Sequence, residues 1–520
     1  MEAYNALFLP GLTPVGHSMN LKSLLAKPFA LYIANKVKKE AQQAIEDQDA
    51  IFKSLLKVGK KTQFGIDHDL DQATDYAGFK KAVPIRDYEQ FVPYINMIKE
   101  GKHNILWKGI PIYFAKTSGT TSGVKYIPIT KDSIDNHINT ARNALLCYMA
   151  ETGNTGFASG KLIFLSGSPV LERVGGIATG RLSGIVNHHI PAYLRSNQLP
   201  SYETNCIEDW EQKLDAIVSE TMHQNMTLIS GIPPWMQMYF DKLEATTNKK
   251  VGELFPNFNV MVQGGVNFEP YKAKLFESIG RKIDTVELFP ASEGFFAFQH
   301  SQHEPGLLLN TNSGIFFEFV PSEEIFAQNP TRLCLQEVEL GKNYALIINS
   351  NAGLWGYNIG DTVKFVSLDP YKIVVTGRIK HFISAFGEHV IGEEVEAALL
   401  EVTAQTGSQV AEFTVAPFVA GVDAAKKSYH EWFIAFEKIP ADLPAFAAHL
   451  DAVMRQKNVY YDDLIKGAIL EPLKIRPLQK GAFVDYMRSI GKLGGQNKVP
   501  RLSNDRELAD ALSIYLAQVV

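Results

Sequence analysis

Apolar residues recur at helical spacing through Leu21, Leu24, Leu25, Phe29, Ile33, Ala41, Ile45, Ile51 and Leu55, with charges between them. This spacing predicts one or two amphipathic helices over 19–58. A further helical stretch covers Tyr88 to Lys99. The segment ILWKGIPIYFAKTSG then reads as a strand running into a turn. Beyond a helix over 131–151, short apolar strands at 161–166, 225–230, 258–265 and 282–289 alternate with helices over roughly 208–223, 234–246 and 269–280. Alternation of this kind predicts βαβ units and a parallel sheet buried on both faces. Ligands of such sheets sit beyond the carboxyl ends of the strands. Two of those ends carry polar or backbone chemistry: Gly264-Gly265 and Ser292-Glu293-Gly294.

From residue 313 the period shortens. GIFFEFV, LCLQEVEL, NYALIINS, DTVKFVSL and YKIVVTG follow one another with tight turns and no helix. They read as an antiparallel meander, barrel-like in part, with NAGLWGYNIGD between its third and fourth strands. After Gly377-Arg378-Ile379-Lys380 the order is helix, strand, strand, helix, strand, helix over roughly 391–492. The fold class expected is therefore α/β. A large N-terminal domain (1–377) combines the parallel βαβ sheet with the barrel-like part. A smaller, mobile α+β C-terminal domain (378–520) comes after a hinge near 377–381.

Composition narrows the partners. The 520 residues include 51 Lys plus Arg against 56 Asp plus Glu, a net charge of −5 that favours no nucleic acid. Cys147, Cys206 and Cys334 are far apart without a C-x-x-C pair, so neither a zinc site nor a disulfide framework is expected. Unpaired cysteines suit a reducing compartment. No apolar run reaches membrane-spanning length, and the first residues lack a basic n-region. The expectation is a cytoplasmic monomer without a membrane partner.

The densest chemistry lies at 117–125. Thr117, Ser118, Thr120, Thr121 and Ser122 supply hydroxyl donors, Gly119 and Gly123 let backbone N–H groups approach a ligand, and Lys125 adds a charge. That is equipment for phosphate oxygens, although a Ser/Thr-rich surface turn has the same composition. The spacing G-x-x-x-G-x-K is not a Walker loop, and Tyr126-Ile127-Pro128 after it reads as a strand where a Walker loop opens a helix. His188-His189 and His300-x-x-His303 lack a third ligand at metal spacing. The run GGIATGRLSGI (175–185) suits a loop near a cleft without evident chemistry. Gly231-Ile-Pro-Pro-Trp235 suits either an acyl pocket or plain core.

Four elements stand in order: the loop at 117–125, FPASE at 289–293, YNIGD at 357–361 and GGQNKVPR at 494–501. Together with FKKAVPIRDYEQFVPYINMIKEG (79–101) and EVELGKNYALIINSNAGLWGYNIGD (337–361), they resemble the acyl-acid amido synthetases typified by the auxin-responsive family of plants. That family is a branch of the adenylate-forming superfamily of acyl-CoA ligases, luciferases and adenylation domains. The resemblance runs from about 79 to 501. It implies that the loop carries the phosphates of ATP, with Thr117 in place of the family's first Ser. It implies that Phe289, where Tyr is usual, stacks on adenine beside Gly264 and Gly265, and that Ser292 and Glu293 lie next at the nucleotide. Glu293 is then a Mg²⁺ ligand. Asp361 would accept both ribose hydroxyls, its alternative being a turn cap. Asn358 stands where the plant members carry Arg. Arg378 would contact ribose or pin the linker. Lys498 would reach into the cleft and offset charge at the α-phosphate and acyl oxygen.

The implied reaction has two steps: a carboxylic acid is adenylated with loss of pyrophosphate, and an amino acid amine then displaces AMP. His389 and Glu388 are the candidates for taking the amine's proton. Coenzyme A as acceptor, a nucleotide-binding protein without turnover, and a kinase-like enzyme releasing ADP are the rivals.

Overall fold

The computed structural model describes residues 21–118, 124–189, 195–266, 268–379, 382–383, 388, 390–419, 428–466, 470–493, 499–503 and 505–517. Gly119, Thr120, Thr121, Ser122, Gly123, His389 and Lys498 lie outside these described residues.

The helical pattern near the amino terminus becomes two helices, Leu21–Gln42 and Ala44–Gly59. The second buries Phe52, Leu55 and Leu56. Gln48 shares that buried face because its amide is satisfied. It donates to the carbonyls of Thr311 (2.8 Å) and Ile315 (2.9 Å) and accepts from the Phe317 N–H (2.9 Å).

The alternating segments form the parallel half of one large sheet: β3 (Lys161–Phe164), β6 (Gln198–Leu199), β7 (Met226–Gly231), β8 (Val260–Gly264) and β9 (Asp284–Ala291). Helices Trp210–Thr221, Pro233–Thr247 and Glu269–Ile279 connect them, as the sequence predicts. Ser292 and Glu293 then form a tight turn into β10 (Gly294–Phe298), which runs back against β9. From there the sheet is antiparallel through β11 (Leu307–Leu309), β15 (Tyr371–Arg378), β14 (Tyr357–Leu368), β13 (Asn343–Ser350) and β12 (Ile315–Pro321).

The antiparallel part is joined to the parallel part by hydrogen bonds. It is one wing of a continuous eleven-stranded sheet in the order β12-β13-β14-β15-β11-β10-β9-β8-β7-β3-β6. The short strand β11 pairs with both β10 and β15, and this joins the meander to the parallel half. LCLQEVEL is corrected. It forms a short 3-10 turn over Leu335–Glu337, in which the Glu337 carboxylate accepts from the Cys334 N–H at 2.8 Å. That local side-chain bond competes with a ladder.

A smaller sheet holds the candidate phosphate loop. β1 (Tyr113–Ser118) and β2 (Val124–Ile129) are antiparallel, with Thr117 opposite Lys125 and Ser118 opposite Val124. β5 (Ile177–Gly180) lies parallel to β1, with β4 (Glu172–Val174) at its outer edge.

The C-terminal domain has its own core, including Trp432, Leu450 and Tyr461. Helix Gly392–Thr406, strands Gln409–Phe418 and Tyr429–Lys438, helix Leu443–Lys457, strand Lys474–Leu478 and helix Ala482–Ser489 keep the expected order, with an added helix at Val459–Lys466. Polar contacts join it to the large domain: Lys274–Glu437 (2.6 Å), Arg488–Glu211 (2.6 Å) and Lys364–Glu393 (2.5 Å). Interfaces of this polar kind permit relative domain motion.

Candidate active site

Strands β3, β7, β8 and β9 open with their carboxyl ends onto a cleft of about 3150 Å³, whose other side includes Glu412, Val499, Pro500 and Arg501 of the C-terminal domain. Thr117, Lys125, Gly264, Gly265, Phe289, Ser292, Glu293, Asp361 and Arg378 all line it. Five separate segments of chain therefore converge on one space.

Glu293 lines it from the turn between β9 and β10, where it is half-buried. Burial raises its carboxyl above the ordinary carboxylate range; Lys125 and Arg378 partly offset this, and Asp361 adds to it. The Tyr357 hydroxyl donates to Glu293 Oε1 at 3.3 Å. Burial first and Glu293 second push the Tyr357 phenol well above its usual value, so it stays a donor. A carboxylate that loses hydration here gains from a hard cation. Among the described residues no group of three or more His, Cys, Asp or Glu could hold a metal. A Mg²⁺ on Glu293 would accordingly take its remaining oxygens from ATP and water.

Asp361 and Arg378 are cross-strand partners on β14 and β15. Arg378 Nε donates to Asp361 Oδ1 at 2.6 Å, and the Asp361 charge holds the guanidinium above its ordinary value. The second Asp361 oxygen has no hydrogen bond among the described residues, which leaves an acceptor for a ribose hydroxyl. Asp361→Ala is expected to weaken ATP binding roughly tenfold to a hundredfold, since bonds to a charged acceptor are worth about 1.5–3 kcal/mol. Calorimetric titration with ATP checks this, and an unchanged affinity would remove Asp361 from the ribose.

The base of the loop is braced by residues given no role in the sequence reading. The Lys125 ammonium lies 5.5 Å from the Tyr88 ring centroid, and the Tyr88 hydroxyl accepts from the Tyr126 N–H at 2.8 Å. Arg86 bonds YNIGD by its backbone: its N–H donates to Gly356 O and its carbonyl accepts from the Asn358 N–H, both at 2.8 Å. Its guanidinium donates to His68 Nε2, while His68 Nδ1 bonds the Phe64 carbonyl at 2.8 Å. Burial lowers the His68 pKa, consistent with a neutral ring whose Nε2 accepts. The only signal for Arg86 and Tyr88 was the family-like run at 79–101, and His68 lies outside it.

Phe289, Gly264 and Gly265 have structural roles of their own beside the cleft, and the role expected of Glu388 changes. The Phe289 ring is 7% exposed and packs edge-on against Phe296, with centroids 5.2 Å apart, while it also lines the cleft. Gly264 has a structural reason of its own: a Cβ there would come within 2.3 Å of the Leu288 carbonyl oxygen on β9. Gly265, at φ +84°, makes the adjoining turn. Glu388 is corrected as a candidate base. Its carboxylate is fully buried against His430 Nε2 at 2.8 Å inside the C-terminal core, out of reach of a substrate amine.

Helix Ile134–Thr152 supplies a further wall. Asn136 accepts from the Phe295 N–H (2.7 Å) and donates to the Phe295 carbonyl (3.1 Å), which docks the helix beside the Glu293 turn. The next residue, His137, is buried yet lines the cleft, and its Nδ1 has no hydrogen-bond partner. Burial lowers its pKa to about 4 from the ordinary 6.5. Below pH 6.5 the unfolded chain therefore binds a proton that the folded chain refuses until about pH 4, so stability falls with pH across that window. Urea unfolding at stepped pH should show His137→Leu losing less stability than wild type on acidification, by up to about 3 kcal/mol.

Profiles of the GH3 family match the chain in three places: the N-terminal domain over residues 33–203, the central domain over 308–378 and the C-terminal domain over 393–507. The chain belongs to the GH3 family. An indole-3-acetic acid-amido synthetase of Arabidopsis thaliana, GH3.4, is 21% identical over 93% of this chain and 94% of its own. A jasmonoyl–L-amino acid synthetase of Nicotiana attenuata, JAR4, is 23% identical over 61% of this chain, which spans about two thirds (66%) of that relative. The solved GH3.15 acyl acid amido synthetase in complex with 2,4-DB superposes with a TM-score of 0.77 at 15% identity, over 98% of both chains, and shows the shared fold. In this GH3 protein the loop residues fall in the N-terminal match and Asp361 and Arg378 in the central one. The Ser292-Glu293 turn lies between the two matched ranges, and the fold brings it to the others. No described helix is long and apolar enough to cross a membrane.

Proposed function

We propose that this GH3 protein is an ATP-dependent acyl-acid amido synthetase. The observation that carries the reading is the meeting of Lys125, Arg378 and Asp361 around the half-buried Glu293 carboxyl in one cleft beside the 117–125 loop. Two cations and two carboxylates on separate elements suit a triphosphate: one carboxylate for a divalent ion, the other for ribose. Magnesium bound by Glu293 would neutralise charge on the phosphates.

In the first step a substrate carboxylate oxygen attacks the α-phosphorus, the bond to the β-phosphate oxygen breaks, and pyrophosphate leaves. Positioning and charge neutralisation carry this step. Lys125 serves from β2, and Lys498 serves from the segment preceding Val499. In the second step a neutral amino acid amine attacks the acyl carbonyl, AMP leaves with the C–O electron pair, and the amine's proton passes to solvent or a base. His389 remains a candidate for that base. The hinge near 377–381 would let the C-terminal domain change places between the steps. We place the protein in the cytoplasm as a monomer, in keeping with its three free cysteines.

The test is acid-dependent exchange of pyrophosphate into ATP over a set of carboxylic acids, then acceptor amines on the acids that respond. An amide and AMP are expected. A thioester formed only with coenzyme A would make the protein an acyl-CoA ligase. Background exchange with every acid would leave a nucleotide-binding protein, and ADP as product would mean phosphoryl transfer.

A further inference from the structure

A buried histidine usually keeps its place through a hydrogen bond to a carbonyl or carboxylate. His137 does not. It is 4% exposed, its Nδ1 is enclosed without a partner, and neither ring nitrogen is hydrogen-bonded among the described residues. Its surroundings are those of an acyl pocket. Ala141 and Leu145 continue its helix face, and Phe164, Val262 and Leu288 face them from β3, β8 and β9 in one apolar cluster that lines the cleft. Asn136 holds this wall beside Gly294 and Phe295, next to the turn carrying Glu293, so the pocket adjoins the place where an acid would meet ATP.

We infer that His137 is a specificity contact, and that the carboxylic acid substrate is apolar in body but carries a neutral hydrogen-bonding group, a hydroxyl, ketone or ring N–H, that pairs with this imidazole. The inference rests on the amido synthetase reading and names the substrate class of that site. A neutral imidazole offers one donor and one acceptor. A polar substituent satisfies a group that is otherwise desolvated without return, whereas a purely hydrocarbon acid leaves it unpaired. The alternative of a proton acceptor for the amine is unsuited: burial makes this ring too weak a base to compete for an ammonium proton near neutrality.

The experiment uses the full chain and paired acids: octanoate and phenylacetate, each beside its hydroxy and oxo positional isomers. In wild type, kcat/KM for acid-dependent pyrophosphate exchange is expected to be at least roughly tenfold higher for one polar isomer than for its parent. In His137→Leu that preference should fall to within about twofold, with the melting temperature at pH 7 unchanged or higher because an unpaired polar group has gone. His137→Asn should keep part of the preference. An equal preference in wild type and His137→Leu overturns the inference, as does a wild type that favours the hydrocarbon parents throughout. If no acid supports exchange, the synthetase reading fails. Acid-induced melting shifts then decide the contact on binding alone, and equal shifts in wild type and His137→Leu overturn it.

Discussion

Lys498→Ala is expected to lower acid-dependent pyrophosphate exchange by roughly two to three powers of ten, the usual effect of removing one preorganised charge from a developing oxyanion. The expectation comes from the position of this lysine in GGQNKVPR together with the anchoring of the last residue of that motif. Three residues on, Arg501 is held from both domains. Its Nη2 donates to the Tyr271 hydroxyl of helix Glu269–Ile279 at 2.9 Å, its Nε donates to Glu396 at 2.8 Å, and its remaining Nη pairs with Glu412. The carboxyl-terminal side of that segment is thereby tied to the rim of the cleft. The same variant should melt within about 0.5 kcal/mol of wild type. Near-normal exchange in a well-folded Lys498→Ala protein would take this lysine out of the chemistry.

Arg332→Met is expected to cost about 3–5 kcal/mol of stability, the loss seen when one member of a buried ion pair is removed and the other stays charged. Arg332 holds Glu318, which has 0% exposure, through two bonds of 2.9 and 2.7 Å. The remaining acceptor capacity of Glu318 takes the Tyr76 hydroxyl and the Asn349 amide, both at 2.8 Å. Asn349 in turn accepts from the Gly356 N–H at 2.7 Å, immediately before YNIGD, so the network braces the strand that carries Asp361. Chemical denaturation measures the loss. Joining Arg332→Met to Glu318→Leu should cost less than the two single changes added together, because the residual charge disappears with its partner. An additive pair would mean that the two side chains do not depend on each other.

Elements whose faces are set locally were legible in the chain. The alternation from 161 to 289 announced a parallel sheet because each strand is apolar on both faces and each helix between is long enough to cover it. LCLQEVEL misled because its apolar alternation suits a strand, whereas the Glu337 side chain satisfies the backbone locally. The joining of the two halves was not legible for another reason: nothing in the meander shows that β11 will pair with β15. Phe289 looked free in the motif, yet its ring packs on Phe296 three residues past the turn's end, a contact that exists only once β10 folds back on β9.

The amino-acid sequence by itself determined most of the helix and strand segments, the hydroxyl- and glycine-rich make-up of the 117–125 loop, and the order of the short motifs; these depend on neighbours a few residues away. Tertiary structure alone decided that Tyr357 reaches Glu293, that Arg378 closes on Asp361, that Glu388 is sealed against His430, and that His137 faces the cleft with its ring unpaired. The physical reason is register and burial. Partners tens to hundreds of residues apart meet only when strands pair in one alignment, and whether a polar group is satisfied depends on every element packed around it.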